Sequence, residues 1–414
     1  MKNQETKLIG NALVGQSGGP TAAINATLSG VIRGVAAERD TIPVLYGMRY
    51  GIEGFLDGET IDLSPYFDDE ESLSLLEQTP AAALGSCRKK LPDPEKDPAF
   101  FEALVARFRE MNIRYFFYIG GNDSMDTVAK LTAYLKIVSY EMRVIGVPKT
   151  IDNDLVGTDH TPGFGSAAKY IAVTVSEYLR DCAVYRVPAV TIIEIMGRDA
   201  GWLTASAALP AAIHGIGPDY IYLPECVFDR DAFLADVRAA LARHPNVVIA
   251  ISEGIRFADG EYVGAGSQSG AKDVFGHKYL AGAGKVLESI IREEIGCKVR
   301  SAELSLSQRC AAHLASAADL DESVRIGSSA VAFAVDGVSG HMVTVARDEG
   351  EEYSLTVSSS DVLSIANQIR SVPREYINEA GNHVTDECIR YLLPLISGER
   401  AIRYEGGIPK HLFF

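Results

Sequence analysis

Residues 146–154 read Gly146-Val-Pro-Lys-Thr-Ile-Asp-Asn-Asp154, and the fold turns on how this stretch is read. It grows out of the apolar run Arg143-Val-Ile-Gly-Val147, which has the character of a buried strand ending. The strand delivers Lys149, Thr150, Asp152 and Asp154 into a loop at its carboxyl end, where open α/β sheets place their ligands. A cation, a hydroxyl and two carboxylates in so short a loop suit phosphoryl transfer. That reaction needs positive charge for the phosphate, a metal ligand, and a base for the attacking hydroxyl. The bland alternative is a polar turn whose Asp and Asn side chains cap their own backbone. Alternating charge directly after a strand favours the chemical reading.

Outward from this loop the chain alternates strands with helices. Asn11-Ala-Leu-Val-Gly15 reads as a strand, followed by Gln16-Ser-Gly-Gly-Pro-Thr-Ala-Ala-Ile-Asn25 and a helical pattern through Val31. A strand, a glycine turn and a helix N-terminus bring backbone N–H groups towards an anion, and Gly18 and Gly19 allow close approach. The glycine spacing and the missing Lys-Ser/Thr ending exclude a P-loop. The basic run Gly85-Ser-Cys-Arg-Lys-Lys90 is, alone, best read as a solvated turn. An amphipathic helix from Pro98 leads to the strand Arg114-Tyr-Phe-Phe-Tyr-Ile119, the turn Gly120-Gly-Asn-Asp-Ser124 and a helix over 125–135. Asp123 or Ser124 as a cap of that helix is the economical reading of their polarity.

Further on, a helix over 166–181 precedes the strand Pro188-Ala-Val-Thr-Ile-Ile-Glu-Ile195 and Met196-Gly-Arg198. A helix over 202–209, a strand over 219–223, a helix over 231–243 and a strand over 246–251 with Glu253 at its end follow. The glycine-rich stretch 260–276 reads as a mobile loop. A helix over 280–294 and a strand over 298–306 come next, leading to Gln308-Arg309. The Asp336-Gly337 pair signals a hairpin, and 361–368 a helical run. The alternation predicts an α/β fold of parallel sheets with right-handed crossovers.

Composition limits the function. The chain has 414 residues, 47% of them hydrophobic, enough for two domains. A net charge of −16 argues against nucleic acid, whose binding rests on neutralising phosphates with Lys and Arg. Six cysteines without CxxC or zinc spacing suggest reduced thiols and a cytoplasmic protein. The N-terminal residues show no signal-peptide pattern, and no apolar run is long enough for a bilayer.

With these pieces in place the chain resembles the 6-phosphofructokinase family, from Leu13 to about Gly337. The matching residues are Gly18-Gly19, Gly85-Ser-Cys-Arg88, Gly120-Gly-Asn-Asp-Ser124, Pro148-Lys-Thr-Ile-Asp-Asn-Asp154, Met196-Gly-Arg198, Glu253 and Gln308-Arg309. Their order, and above all Thr-Ile-Asp-Asn-Asp followed by Met-Gly-Arg, makes the match specific. The resemblance implies two Rossmann-like three-layer α/β domains with the active site in the cleft between them. Residues 1–165 plus 307–360 would hold the phosphoryl donor, 166–306 fructose 6-phosphate, and 361–414 would be a C-terminal helical extension.

The implied reaction is Mg²⁺-assisted transfer of a phosphoryl group to the 1-hydroxyl of fructose 6-phosphate. By resemblance, Asp152 is the base, Asp154 a magnesium ligand, and Thr150 and Arg88 hold the transferring group. Gly18 and Gly19, with Ser124 nearby, line the donor site. Met196, Gly197, Arg198, Glu253 and Arg309 match the sugar-phosphate positions, with Thr150 and Asp152 facing the same substrate. Arg300 matches a position that reaches the 6-phosphate from a neighbouring subunit, which implies a homodimer or homotetramer. Asp123 and Lys149 are the pair carried by the pyrophosphate-dependent branch; Asp123 is also a second candidate metal ligand. A carboxylate at 123 would oppose a nucleotide's α-phosphate in a low-dielectric cleft, whereas pyrophosphate ends before it.

Three positions depart from the family pattern. Ala189 replaces an Arg, Leu306 replaces a His, and Asn122 replaces an Asp near the metal, with Arg186 and Lys278 as candidate substitutes. The alternatives are an ATP-dependent member of the family, a catalytically silent subunit or sensor, and a lipid or NAD kinase. Intact Asp152, Asp154, Arg88 and Arg198 argue against silence. A lipid or NAD kinase does not need the Thr-Ile-Asp-Asn-Asp and Met-Gly-Arg set.

Overall fold

The computed structural model describes residues 7–265, 282–350 and 352–414. The chain begins with β1 (Asn11–Gln16), α1 (Ile24–Ala37), β2 (Leu45–Met48), α2 (Gly51–Leu56) and β3 (Thr60–Asp62). Next come α3 (Glu70–Gln78), α4 (Pro98–Glu110), β4 (Ile113–Gly120), α5 (Asn122–Ile137) and β5 (Arg143–Pro148). Then α6 (Phe164–Cys182) leads to β6 (Ala189–Ile195), α7 (Trp202–Ala205), α8 (Leu209–His214), β7 (Tyr220–Tyr222), α9 (Arg230–Arg243) and β8 (Asn246–Ser252). The order continues with α10 (Ala283–Glu294), β9 (Lys298–Glu303), α11 (Ser307–Cys310) and α12 (Ala317–Val335). It closes with β10 (His341–Arg347), β11 (Leu355–Asp361), α13 (Asp386–Leu392), β12 (Tyr404–Glu405) and β13 (Ile408–Pro409).

Two large sheets form among the described residues. One has seven strands in the order β11-β10-β5-β4-β1-β2-β3, and the other has four in the order β7-β8-β6-β9. The α/β alternation is as expected, but the parallel rule fails at both edges of the larger sheet. There β3 and β11 each pair antiparallel, β11 through a direct return after β10 and β3 after the short helix α2 that follows β2. The smaller sheet is parallel throughout. Its central strands β6 and β8 are near-continuous apolar runs, as strands covered on both faces require, whereas the edge strand β9, Lys298-Val-Arg-Ser-Ala-Glu303, is polar and only half-buried.

The topology sets the site's position. From β1 the chain moves to β2 on one side and later to β4 on the other. The crevice beyond the carboxyl ends of β1 and β4 is therefore a switch point. Both glycine turns and the 149–154 loop open there. Met196 follows β6 and Glu253 follows β8, at the carboxyl ends of the second sheet.

Two expectations need correction, and one helix was not foreseen. The Asp336-Gly337 pair is no hairpin turn: it ends α12, where Asp336 and Gly337 donate to the carbonyls of Ala332 and Ala334 at 3.0 Å each. Gly337, at φ 94°, supplies the left-handed residue that ends many helices. The actual hairpin joins β10 to β11. Helix α12 escaped prediction because small Ala, Gly and Ser residues blur its apolar stripe. They also let it lie hard against α1, where a Cβ on Gly327 would sit 2.2 Å from the carbonyl of Thr27. The Ser316-Ala-Ala-Asp319 start, with the Ser316 hydroxyl accepting from the Asp319 N–H at 3.5 Å, was the available signal. Finally, 361–368 forms only a short 3₁₀ turn at Val362–Ser364, and beyond 361 the chain is helical chiefly at α13. Most of the predicted loop at 260–276, and Lys278, lie outside the described residues.

Candidate active site

The buried Gln16 side chain closes β1 onto the next layer. Its amide oxygen accepts from the N–H of Leu84 at 2.9 Å, and its amide nitrogen donates to Asn25 Oδ1 at 2.9 Å. This draws the 85–90 loop alongside the first glycine turn, where Ser17 pairs with Cys87. The Gly18 N–H, expected to face a donor phosphate, donates instead to the Cys87 carbonyl at 3.0 Å. Gly18 takes φ 77°, which costs glycine nothing. A Cβ on Gly19 would lie 3.2 Å from Arg309 Nη1 and 3.7 Å from Arg88 Nη2.

Lys149 completes this basic floor. It is buried, donates to the Gly19 carbonyl, and would be 3.5 Å from a Cβ on Gly18. Burial, helped by Arg309 and Arg88, lowers its pKa to about 8 despite the nearby Asp152 and Asp154. Arg309 is also lowered, by burial and by Arg88. Three cations are therefore crowded around one glycine turn, an arrangement that a polyanion would relieve.

The carboxylates face this floor. Thr150 accepts from the Asp152 N–H at 3.1 Å, and its own N–H donates to Pro162 O at 3.2 Å, fixing the start of the loop. Burial and Asp154 raise Asp152 to about 7, against the pull of Arg198 and Lys149. Asp154 is raised too, mainly by burial. Between them Asn153 is buried with φ 54°, and its Nδ2 donates to the Tyr391 hydroxyl at 3.0 Å.

The second sheet supplies the opposite wall. The Gly197 N–H donates to Glu253 Oε1 at 3.3 Å, and the Met196 N–H to Gln308 Oε1 at 3.2 Å. Burial, with Asp152 close by, raises Glu253 to about 8. The charge of Arg198 acts on both Asp152 and Glu253, joining the two walls electrostatically. Arg309, expected at the sugar phosphate, has its guanidinium against Gly19.

Other expected residues sit elsewhere. Asp123 lies in the first turn of α5 and does not cap it; the capping position is Gly121. Its carboxylate pairs with Lys90 at 3.0 Å, so the basic 88–90 run contributes more than a solvated turn. Ser124 is buried behind Gly120. Asn122 is engaged by the C-terminal part, donating to Gln368 O at 2.6 Å and accepting from the Asn367 N–H at 3.0 Å. Arg300 is midway along the edge strand β9, opposite Thr191, and not at a carboxyl end. Ala189 opens β6, and Arg186 precedes it, roughly 20 Å of strand away from Met196. Leu306 is exposed. Sequence reading missed Lys90, Arg370 and Tyr391, the last two because they come from a distant segment that carries no recognisable motif.

Comparison with known proteins accords with this geometry. A pyrophosphate–fructose 6-phosphate 1-phosphotransferase from Halomonas elongata is 41% identical over 402 residues, covering 97% of this chain and 95% of the relative. A protein of the same name from Methylococcus capsulatus is 38% identical over 404 residues, covering 97% and 95%. The crystal structure of a pyrophosphate-dependent phosphofructokinase from Nitrosospira multiformis superposes with a TM-score of 0.88 at 35% identity, covering 98% and 96% of the two chains. The phosphofructokinase family model matches residues 11–334, a span holding both glycine turns, the 149–154 loop, Met196-Gly-Arg198 and Arg309, and the chain belongs to that family.

Proposed function

We propose that the protein transfers a phosphoryl group from pyrophosphate to the 1-hydroxyl of fructose 6-phosphate, giving fructose 1,6-bisphosphate and phosphate, and runs the reverse reaction. It would serve glycolysis in one direction and gluconeogenesis in the other. The observation that carries this reading is the juxtaposition of Lys149, Arg88 and Arg309 around Gly19 with Asp152 opposite. The activity named for the relatives agrees with it.

Asp152 takes the proton of the attacking hydroxyl; a base held near neutrality is well matched to that task. Lys149, Arg88 and Thr150 hold the transferring group, where fixed donors meet developing charge. Arg309, beside Gly19, serves the phosphate on the same side. The walls at Met196–Arg198 and Glu253 receive the sugar. Arg300, on an edge strand, fits a role towards a neighbouring subunit, so the active form is a homo-oligomer.

Magnesium fits the residues present. Two buried carboxylates, Asp152 and Asp154, are both held above their ordinary range, so a cation beside them is favoured. Among the described residues no group of three His, Cys, Asp or Glu forms a metal cage. That suits Mg²⁺, which is commonly held by one or two carboxylates plus substrate phosphates. Asp154 would hold it, and Asp123 remains a second candidate although Lys90 now pairs with it. When bound, the ion neutralises charge on the phosphate oxygens. All six cysteines are free, which accords with a reducing cytoplasm, and no described helix is long and apolar enough to cross a membrane.

The test is a coupled assay on fructose 6-phosphate with pyrophosphate and ATP offered separately. Turnover with pyrophosphate and none with ATP is expected. Efficient use of ATP alone refutes the donor, and inactivity with both refutes the reading.

A further inference from the structure

We infer that Tyr391 and the strap 370–372, both from the C-terminal part of the chain, are positioning elements that hold the Asp152–Asp154 loop in register with the Met196–Arg198 loop. The inference rests on the proposed reading of Asp152 as the base.

The first observation is how the carboxylate loop is held. Asn153 sits between the two acids in a left-handed conformation, which a non-glycine residue adopts at a cost of about 1 kcal/mol and keeps only when its surroundings enforce it. Here the Tyr391 hydroxyl accepts from Asn153 Nδ2 at 3.0 Å and donates to the Asp159 carbonyl at 2.7 Å. One hydroxyl thus spans the loop from its tip to its far side. Both Nη atoms of Arg370 approach the same oxygen at 3.4 Å. No other hydroxyl on the described residues bonds to Asn153.

The second observation is that the strap is stitched to both walls. The Arg370 N–H donates to the Asp154 carbonyl at 2.8 Å, on the carboxylate side. Its own carbonyl accepts from Trp202 Nε1 at 3.0 Å, and its guanidinium lies over the indole at 4.4 Å. Glu225 Oε1 accepts from both Gly201 and Val372 N–H groups at 2.8 Å each. Gly201 and Trp202 lie three and four residues beyond Arg198. The carbonyl of Asp154 and the loop that follows Arg198 therefore hang from the same three residues. Tyr391 packs against Trp202 as well, with ring centroids 5.2 Å apart. A strap so placed sets the distance between the base and the acceptor wall. Small errors in that distance are expensive, since a shift of about 1 Å can cost on the order of 100-fold in rate.

The test uses Tyr391→Phe in the full chain, which keeps the ring and removes the hydroxyl. Expected are a kcat lowered by about 10- to 100-fold and KM values for fructose 6-phosphate and pyrophosphate within about threefold of wild type. Hydrogen exchange of the 150–163 backbone should quicken by about tenfold, the equivalent of one lost hydrogen bond. Trp202 is the sole tryptophan, so unchanged emission from it certifies that the ring packing survives. Tyr376→Phe makes the same change on a neighbouring ring and should leave kcat within about twofold. A Tyr391→Phe protein with kcat within twofold of wild type and unaltered exchange overturns the inference. So does a fall in kcat no larger than the fall in folded fraction. If wild type proves inactive with every donor, the proposed function fails. The exchange measurement then decides the strap alone: faster exchange in 150–163 supports it, and equal exchange overturns it.

Discussion

Lys149, at the end of β5, donates from its buried ammonium to the carbonyl of Gly19, in the turn after β1. The two central loops of the larger sheet are thereby closed onto each other, and the cation is held beside Arg88 and Arg309 rather than beside Asp123. Asp123 has its own partner in Lys90. Lys149 and Asp123, proposed together as the determinants of the donor, therefore sit apart, one on the basic floor and one paired with Lys90.

Removing the floor cation tests that division. Lys149→Met should lower kcat/KM for pyrophosphate by about 10²–10³-fold, the loss typical of one fixed donor to developing charge. Thermal stability should hold, because burial already penalises the charged amine. Steady-state kinetics with a melting curve decide the matter. Activity within a few-fold of wild type would remove Lys149 from the donor site.

Asp123→Gly should open the site behind pyrophosphate and remove a negative charge from the path of a nucleotide. Combined with Lys149→Gly, it should raise ATP use and suppress pyrophosphate use. The Lys90–Asp123 pair is about half and a third exposed at its two ends, so its loss should cost less than about 1 kcal/mol of stability. The readout is the ratio of kcat/KM for the two donors. A ratio unmoved by the double substitution would assign donor choice to other residues.

Much of this site was legible in the sequence because the chemistry lies at strand ends. Strands β1, β4, β5, β6 and β8 are apolar runs that end in glycine or charge, and that punctuation gave both the sheets and the loops. Lys149 and Asp152 followed directly, and Arg198 through the family resemblance. What stayed hidden depends on contacts distant in sequence. Tyr391 touches Asn153 from 238 residues away, and nothing local to either residue signals the pair. Helix α12 stayed hidden for a different reason: a helix packed tightly on α1 through small residues lacks the bulky periodic stripe that reveals helices. The Asp-Gly at 336–337 misled because the same two residues serve a hairpin turn and a helix end alike.

The base gives a prediction in both rate and stability. Asp152→Asn should lose about 10²–10⁴-fold in turnover while still binding fructose 6-phosphate. It should also stabilise the metal-free protein. The Asp152 carboxyl is raised to about 7 in the folded chain, so ionisation opposes folding increasingly as pH climbs from about 4 to 7. Asn removes that penalty, and the gain in melting temperature should be larger at pH 8 than at pH 4.5. Equal gains at both values, or turnover within a few-fold of wild type, would reject Asp152 as the buried base.

The far end of the same loop offers a test of opposite sign. His160 is buried, with Nδ1 2.9 Å from Asp159 and Nε2 2.7 Å from Glu322 of α12. Burial works against its charge, but the two carboxylates outweigh burial and raise it to about 9. Arg347 reinforces Asp159 at 3.1 Å, and the Tyr353 hydroxyl donates to Glu322 at 2.8 Å, so every charge in the cluster has a partner. A group raised above its unfolded value stabilises fully below that value, near pH 6.5, and loses its contribution as pH rises through about 9. His160→Asn removes the cation between Asp159 and Glu322, leaving Arg347 on Asp159 and only the Tyr353 hydroxyl on Glu322, a loss of about 3 kcal/mol by the usual measure of a broken buried pair. Urea unfolding at pH 6 should show that full penalty, and at pH 9.5 a much smaller one. The same penalty at both pH values would mean that the ring is neutral in the folded chain, and that the loop is anchored to α12 by shape rather than by charge.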